Sequence, residues 1–328
     1  MRVLCLSYHP SPLSESYMRT EIEWMLKQGV EVGVLGRAPH NSSYQSPAKH
    51  VWTGEPLAKI AEDFKPDVVH VHHMTTVERG YDISGLKIPV TIRAHSFDHS
   101  EERARRLCEY ECVKKLWMFP HLAIEHPKVE KLTSCFPPSV YYPATSESRD
   151  PWMERESRVI RAMAGIETKN ITTWLEIASL CRGVKFLLIM SRAIPPDVPE
   201  KIMACKPPNV EVQVNVAREE VASLVRKSAI YLTNAPDHPF GMPASAIEAM
   251  ASGLPVVAQQ ALGVVEYLGP AGYVYNTPKD AAAIILDMMS FSSDEWEKAR
   301  QASLMQAKKY TTDVVLPRVL QEWRRLSS

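Results

Sequence analysis

FGMPASAIEAMASGLPVVA, residues Phe240–Ala258, decides the fold. Ala229–Thr233 ahead of it reads as a short apolar strand, and Asn234–Met242 as a loop with two prolines and a glycine. Pro243 suits a first helical position, where its missing N–H would be unpaired anyway. The alanine-rich run Ala244–Ser252 reads as a helix that stops at Gly253 before the strand Pro255–Ala258. A strand, a loop and a helix N-terminus in that order offer free backbone N–H groups and a positive dipole end, both suited to a phosphate. Glu248 projects from the second turn of that helix.

The rest of the chain alternates in the same way. In the first half, strands are expected at Val3–Ser7, Val30–Leu35, Asp67–Val71, Pro89–Ala94 and Leu122–Ile124. Helices are expected at Glu15–Gln28, capped by Ser14, near Pro56–Phe64, and over the charged run Glu101–Leu116. The proline-rich stretch 137–157 marks a boundary. Beyond it the alternation restarts with the strands Arg158–Ala162, Val184–Met190 and Val210–Val214 and the helices Ile171–Arg182 and Arg218–Ser228. Thr277 with Asp280, and Ser292 with Glu295, each spell a helix-starting capping box. In the tail Asp313–Leu326, Leu316, Leu320 and Trp323 share one helical face, with a kink expected at Pro317. Strands separated by helices pair in parallel with right-handed crossovers, which gives doubly wound sheets.

With 328 residues the chain exceeds what one core usually supports, so two domains are expected. Lys plus Arg equals Asp plus Glu at 38 each, and the balance also holds within residues 1–143, so no charge field favours nucleic acid. Six scattered cysteines show neither disulfide nor zinc spacing, which points to a reducing, cytoplasmic compartment. No stretch approaches the roughly 20 apolar residues of a membrane span, and nothing indicates peripheral membrane contact.

The Phe240–Ala258 run resembles the C-terminal motif of retaining GT-B glycosyltransferases, specifically glycosyltransferase family 4. There the pattern is Glu, seven residues, Glu, then Ala-Met-Ala, a small residue, Gly, any residue and Pro-Val-Val. The resemblance gives Glu248 the second glutamate's role, holding the donor's ribose hydroxyls. Phe240 stands where the first glutamate, a contact to the donor sugar, would be; Asp237 and His238 are the nearest substitutes. Lys169 in AGIETKN matches the family's phosphate lysine, whereas Met163 and Ala164 replace its Gly-Arg pair. Arg161 and Arg192 are candidate replacements for that arginine. Gly263–Leu268, with Glu266, is similar to the stretch that closes over the nucleotide.

No G-x-G-x-x-G follows the first strand, so a dinucleotide domain is not expected. The turn His9–Ser16 instead resembles a Leu-Ser-Glu-Thr turn of the family, which places Ser14 and Glu15 on the cleft and acceptor side. Ten of the eleven histidines precede residue 127. His70 and His72 share a strand face without a carboxylate or cysteine nearby in sequence, so no metal is expected. His95 in TIRAHSFD lies just past a strand end and matches a family histidine that faces the donor sugar.

The resemblance implies a GT-B architecture: two Rossmann-like doubly wound parallel-sheet domains facing a cleft, with a C-terminal helix crossing back. The expected division is 1–145 on the acceptor side, 146–310 for nucleotide-sugar binding, and 311–328 as the returning helix. The implied activity moves a sugar from a UDP- or GDP-linked donor to a saccharide, lipid-linked or small-molecule acceptor with retained configuration, and needs no cofactor or metal. His95, Lys169 and Glu248 carry the reaction. Arg161, Phe240, Gly241, Met242, Pro243 and Glu266 complete the donor site. The competing reading is a non-catalytic relative that binds nucleotide sugars or serves as a scaffold.

Overall fold

The computed structural model describes residues 1–8, 16–37, 45–95, 100–143, 155–166, 170–194, 197–234 and 243–328, the side chains of 16, 165–166 and 192–194 excepted. The chain divides into two compact units, Met1–Cys135 joined by Thr312–Ser328, and Phe136–Thr311.

The first unit runs β1 (Arg2–Ser7), α1 (Ser16–Lys27), β2 (Glu31–Gly36), β3 (His50–Thr53), α2 (Leu57–Phe64), β4 (Val68–His72), α3 (Met74–Gly80), β5 (Val90–Arg93), α4 (Glu101–Glu109), β6 (Val113–Met118) and β7 (Val129–Lys131). Its seven strands are parallel in the order β3-β2-β1-β4-β5-β6-β7. The second unit runs β8 (Arg158–Ile166), α5 (Ile171–Leu180), β9 (Lys185–Ile194), α6 (Val198–Cys205), β10 (Val210–Val214), α7 (Arg218–Arg226), β11 (Ile230–Thr233), α8 (Ala244–Ala251), β12 (Val256–Gln259), α9 (Val264–Leu268), β13 (Gly272–Tyr275), α10 (Pro278–Met288) and α11 (Ser293–Ala307). Six parallel strands there follow the order β10-β9-β8-β11-β12-β13. The chain then returns to the first unit as α12 (Thr312–Val315) and α13 (Pro317–Ser327).

Both sheets are thus doubly wound, with the order reversing between β1 and β4 in one and between β8 and β11 in the other. Ligands of open α/β sheets bind beyond the carboxyl ends of the strands at such reversals. Near-continuous apolar runs fill the central strands, which are buried on both faces: β4 is buried at every position, as is β11.

The helix expected over Glu101–Leu116 ends at Glu109, where Tyr110 turns extended, and Val113–Met118 becomes a strand. The charged segment set a helical pattern, but Val113 and Trp117 suit a strand and are fully buried in the sheet. The strand expected at Leu122–Ile124 is absent; Ile124 packs into the core from a loop, and the polar Val129–Lys131 supplies the sheet edge. β3, α3 and α6 are short elements without a strong period. Both capping boxes form as spelled, with Thr277 accepting from the Asp280 N–H and Ser292 from the Glu295 N–H. Gly253 follows α8 at φ +80°, the left-handed conformation that ends a helix. At the tail, Pro317 opens a new helix rather than bending one. Leu316, Val319, Leu320 and Trp323 bury their side chains beside Met18, Ile22 and Met25 of α1. Among the described residues no helix is long and apolar enough to cross a membrane.

Candidate functional site

Each unit carries a buried polar cluster beside its strand-order reversal. In the first unit, period-two alternation puts His70 and His72 on one face of β4, where both are wholly buried. The α1 helix, seated on that face by Met18, Ile22 and Met25, turns Glu21 toward them. Glu21 Oε1 lies 3.2 Å from His70 Nε2, and its other oxygen accepts from the Arg93 guanidinium at the end of β5. Burial opposes the charge on Glu21, but Arg93 and His70 hold its carboxyl well below the usual range. Burial, reinforced by His70, drives the His72 pKa well down, so this imidazole is neutral. Glu21 Oε1 and the outer nitrogens of His70 and His72 fall within 4.8 Å of one another.

His95 follows β5 and is 4% exposed. Its Nε2 lies 3.2 Å from His72 Nδ1, and its ring stacks on Tyr17 at 4.1 Å between centroids. The Tyr17 hydroxyl in turn meets His73 Nε2 at 2.5 Å. The structure therefore draws His95 into a histidine cluster at the carboxyl edge of the sheet. The carboxylate not evident near His70 and His72 in sequence arrives from α1, some fifty positions earlier. Ser14 and Glu15 lie outside the described residues.

In the second unit, Arg161 stands midway along β8 and Asn234 just past the end of β11. The Arg161 guanidinium donates to the Asn234 side-chain oxygen, and the Asn234 amide donates to the Asn170 carbonyl at 2.5 Å. Burial lowers the Arg161 pKa to about 10. The Tyr231 hydroxyl donates to the Ala162 carbonyl at 3.0 Å and lies 2.7 Å from Ser245 Oγ, tying the start of α8 to β8. Ala164, in the position of the family arginine, pairs with Ser191 inside the sheet.

Glu248 is the one charged residue of α8, whose other side chains from Ala246 to Ala251 are core. It is 7% exposed, so it is not a surface glutamate. The Tyr141 hydroxyl donates to its carboxylate and Arg218, at the start of α7, faces it; burial nevertheless pushes its pKa up to about 7. Pro243 precedes α8 with its side chain exposed, and Glu266 is exposed on α9. Lys169, Asp237, His238, Phe240, Gly241 and Met242 lie outside the described residues, as does the side chain of Arg192.

Glu21, Arg93, Tyr141 and Arg218 escaped the sequence reading. Arg93 left a signal, since a charge inside the apolar run Val90–Ala94 is almost never buried without a partner. The partners Glu21 and Tyr141 left none, because only the tertiary fold brings them in.

Residues 201–309 match the family model described as Glycosyl transferases group 1, which spans α8 and Glu248. No curated protein matches this chain. Among solved structures, Anabaena Alr3699/HepE in complex with UDP-glucose superposes with a TM-score of 0.77 at 15% identity, over 99% of this chain and 100% of that one. Sucrose-phosphate synthase (tll1590) from Thermosynechococcus elongatus gives 0.74 at 16% identity over 99% of both chains. A glycosyltransferase from Rickettsia africae ESF-5 gives 0.75 at 13% identity over 99% and 98%. The two doubly wound sheets have the GT-B fold.

Proposed function

We propose that the chain is a retaining glycosyltransferase that moves a hexose from a nucleotide-diphosphate sugar, UDP- or GDP-linked, to a saccharide, lipid-linked or small-molecule acceptor. The family match over residues 201–309 carries this reading, because it contains the helix that holds Glu248. The similar Anabaena protein, in complex with UDP-glucose, supports a UDP-sugar donor.

In this reading Glu248 accepts hydrogen bonds from the ribose hydroxyls. Its ionised form is the acceptor, and Arg218 with the Tyr141 hydroxyl stabilises that form. The leaving diphosphate is met by Lys169 and by Phe240, Gly241, Met242 and Pro243, which precede α8 in sequence, and the helix dipole supplies positive potential where negative charge develops. Arg161 supports this region through Asn234 rather than standing exposed to a ligand. Glu266 borders the nucleotide, His95 serves the donor sugar, and Ser14 and Glu15 serve the acceptor side. The reaction uses neither a cofactor nor a metal ion at the diphosphate, and it takes place in the cytoplasm.

One observation favours a second reading, a non-catalytic nucleotide-sugar-binding or scaffold subunit. Arg161 is engaged by Asn234, and Ala164 offers no cation of its own. Thermal unfolding against UDP, GDP, ADP, TDP and their sugar conjugates separates the readings from an empty site. A nucleotide at a hundred times its Kd adds about 2.7 kcal/mol to the unit that binds it. The expected result is a raised midpoint with one base, abolished in Glu248→Gln. Donor hydrolysis or transfer then marks the enzyme; binding without turnover marks the second reading, and no shift with any nucleotide removes both.

A further inference from the structure

We propose that Glu21, His70 and His72 form a structural site for one transition-metal ion, zinc or cobalt, inside the first unit. It lies within the first unit, one hydrogen bond from His95 through His72.

Three buried polar atoms converge there: Glu21 Oε1, His70 Nε2 and His72 Nε2, all within 4.8 Å of one another and none in an aligned hydrogen bond. Their residues are at most 1% exposed. Glu21 Oε1 and His70 Nε2 face each other at 3.2 Å, His72 Nε2 has no partner, and one cation between them serves all three. A zinc ion, bonded at about 2.0–2.2 Å to nitrogen and oxygen, satisfies all three after small side-chain rotations. The ligand chemistry is that of zinc or cobalt, since two imidazoles with one carboxylate suit a borderline ion better than calcium or magnesium.

The surroundings hold each ligand in the required form. Trp323 Nε1–H, a donor only, lies 3.1 Å from Thr91 Oγ1, and His70 Nδ1 lies 2.9 Å from the same oxygen. That oxygen has two lone pairs, so it accepts from both groups and leaves the His70 Nε2 lone pair for a metal. His72 Nδ1, facing His95 Nε2 at 3.2 Å, donates there and likewise frees Nε2. Arg93 takes the far oxygen of Glu21 and leaves the near one facing the two imidazoles. Such outer partners fix the tautomers and orientation of metal ligands. The fourth position falls to a water. Arg93, paired with Glu21, adds a positive charge beside the site.

The test produces the full chain in zinc-supplemented medium, washes it briefly with EDTA, and measures metal by plasma mass spectrometry. One zinc per chain is expected, retained in His73→Gln and lost in a folded His72→Gln. Production with cobalt instead should give the visible absorption of a four-coordinate ion, which decides the matter if His72→Gln fails to fold. Trace metal after the wash, full occupancy in folded His72→Gln, or a colourless cobalt-grown protein overturns the proposal.

Discussion

Glu248 shows how far burial can reverse a residue's sequence reading. Alone, a glutamate in an alanine-rich helix reads as solvent-facing; here every neighbour from Ala246 to Ala251 is core, and the carboxyl titrates near pH 7. Burial raises this pKa, so the folded unit holds a proton there up to about pH 7. A ribose whose hydroxyls donate to the carboxylate binds the ionised form. Affinity for the preferred nucleoside diphosphate should therefore fall as pH drops below about 7, approaching tenfold per unit, and level off above it. Titration calorimetry from pH 5.5 to 8.5 checks this, and the slope that survives in Glu248→Gln belongs to the phosphates. A flat profile in wild type would mean that Glu248 does not meet the ligand. The motif made Glu248 visible in sequence; Tyr141, over a hundred positions away, was invisible because no local pattern links it to α8.

Elements with a strong local cause were the legible ones. The capping boxes at Thr277 and Ser292 formed because each satisfies two helix-end N–H groups by short-range bonds alone. Thr277→Ala should lower the stability of the second unit by about 1 kcal/mol, read as a shifted urea midpoint. The α4–β6 boundary departs from the sequence expectation because a charged helical pattern runs up to residues whose strand character depends on sheet neighbours. α13 is legible for a third reason: its period places Leu320 and Trp323 on one face, and that face is buried beside α1. Trp323→Ala should cost the first unit about 3–5 kcal/mol, beyond what area alone predicts, because Thr91 also loses the indole N–H. A midpoint change under about 1 kcal/mol in denaturant would show that α13 is only loosely docked.

At the scale of the whole molecule, two units with separate cores should unfold in separable steps. Removing residues 312–328 should lower the first transition and leave the second in place, because those residues pack only in the first unit's core among the described clusters. Calorimetry of the truncated chain, with nucleotide added to mark the second unit, resolves which transition moved. The two-domain division was readable from length and from the prolines near residues 137–157, whereas the unit boundary at Cys135 and Phe136 follows from packing. The returning tail has a further consequence for how the protein is made. At roughly 5–20 residues per second, the ribosome spends many seconds on Phe136–Thr311 after the first unit's strands have emerged. Throughout that interval the socket for Leu316, Leu320 and Trp323 stands open to solvent, an apolar surface on a half-finished domain. The part of the chain translated first is thus among the last to close, and it is the part most in need of a chaperone's cover on the nascent chain.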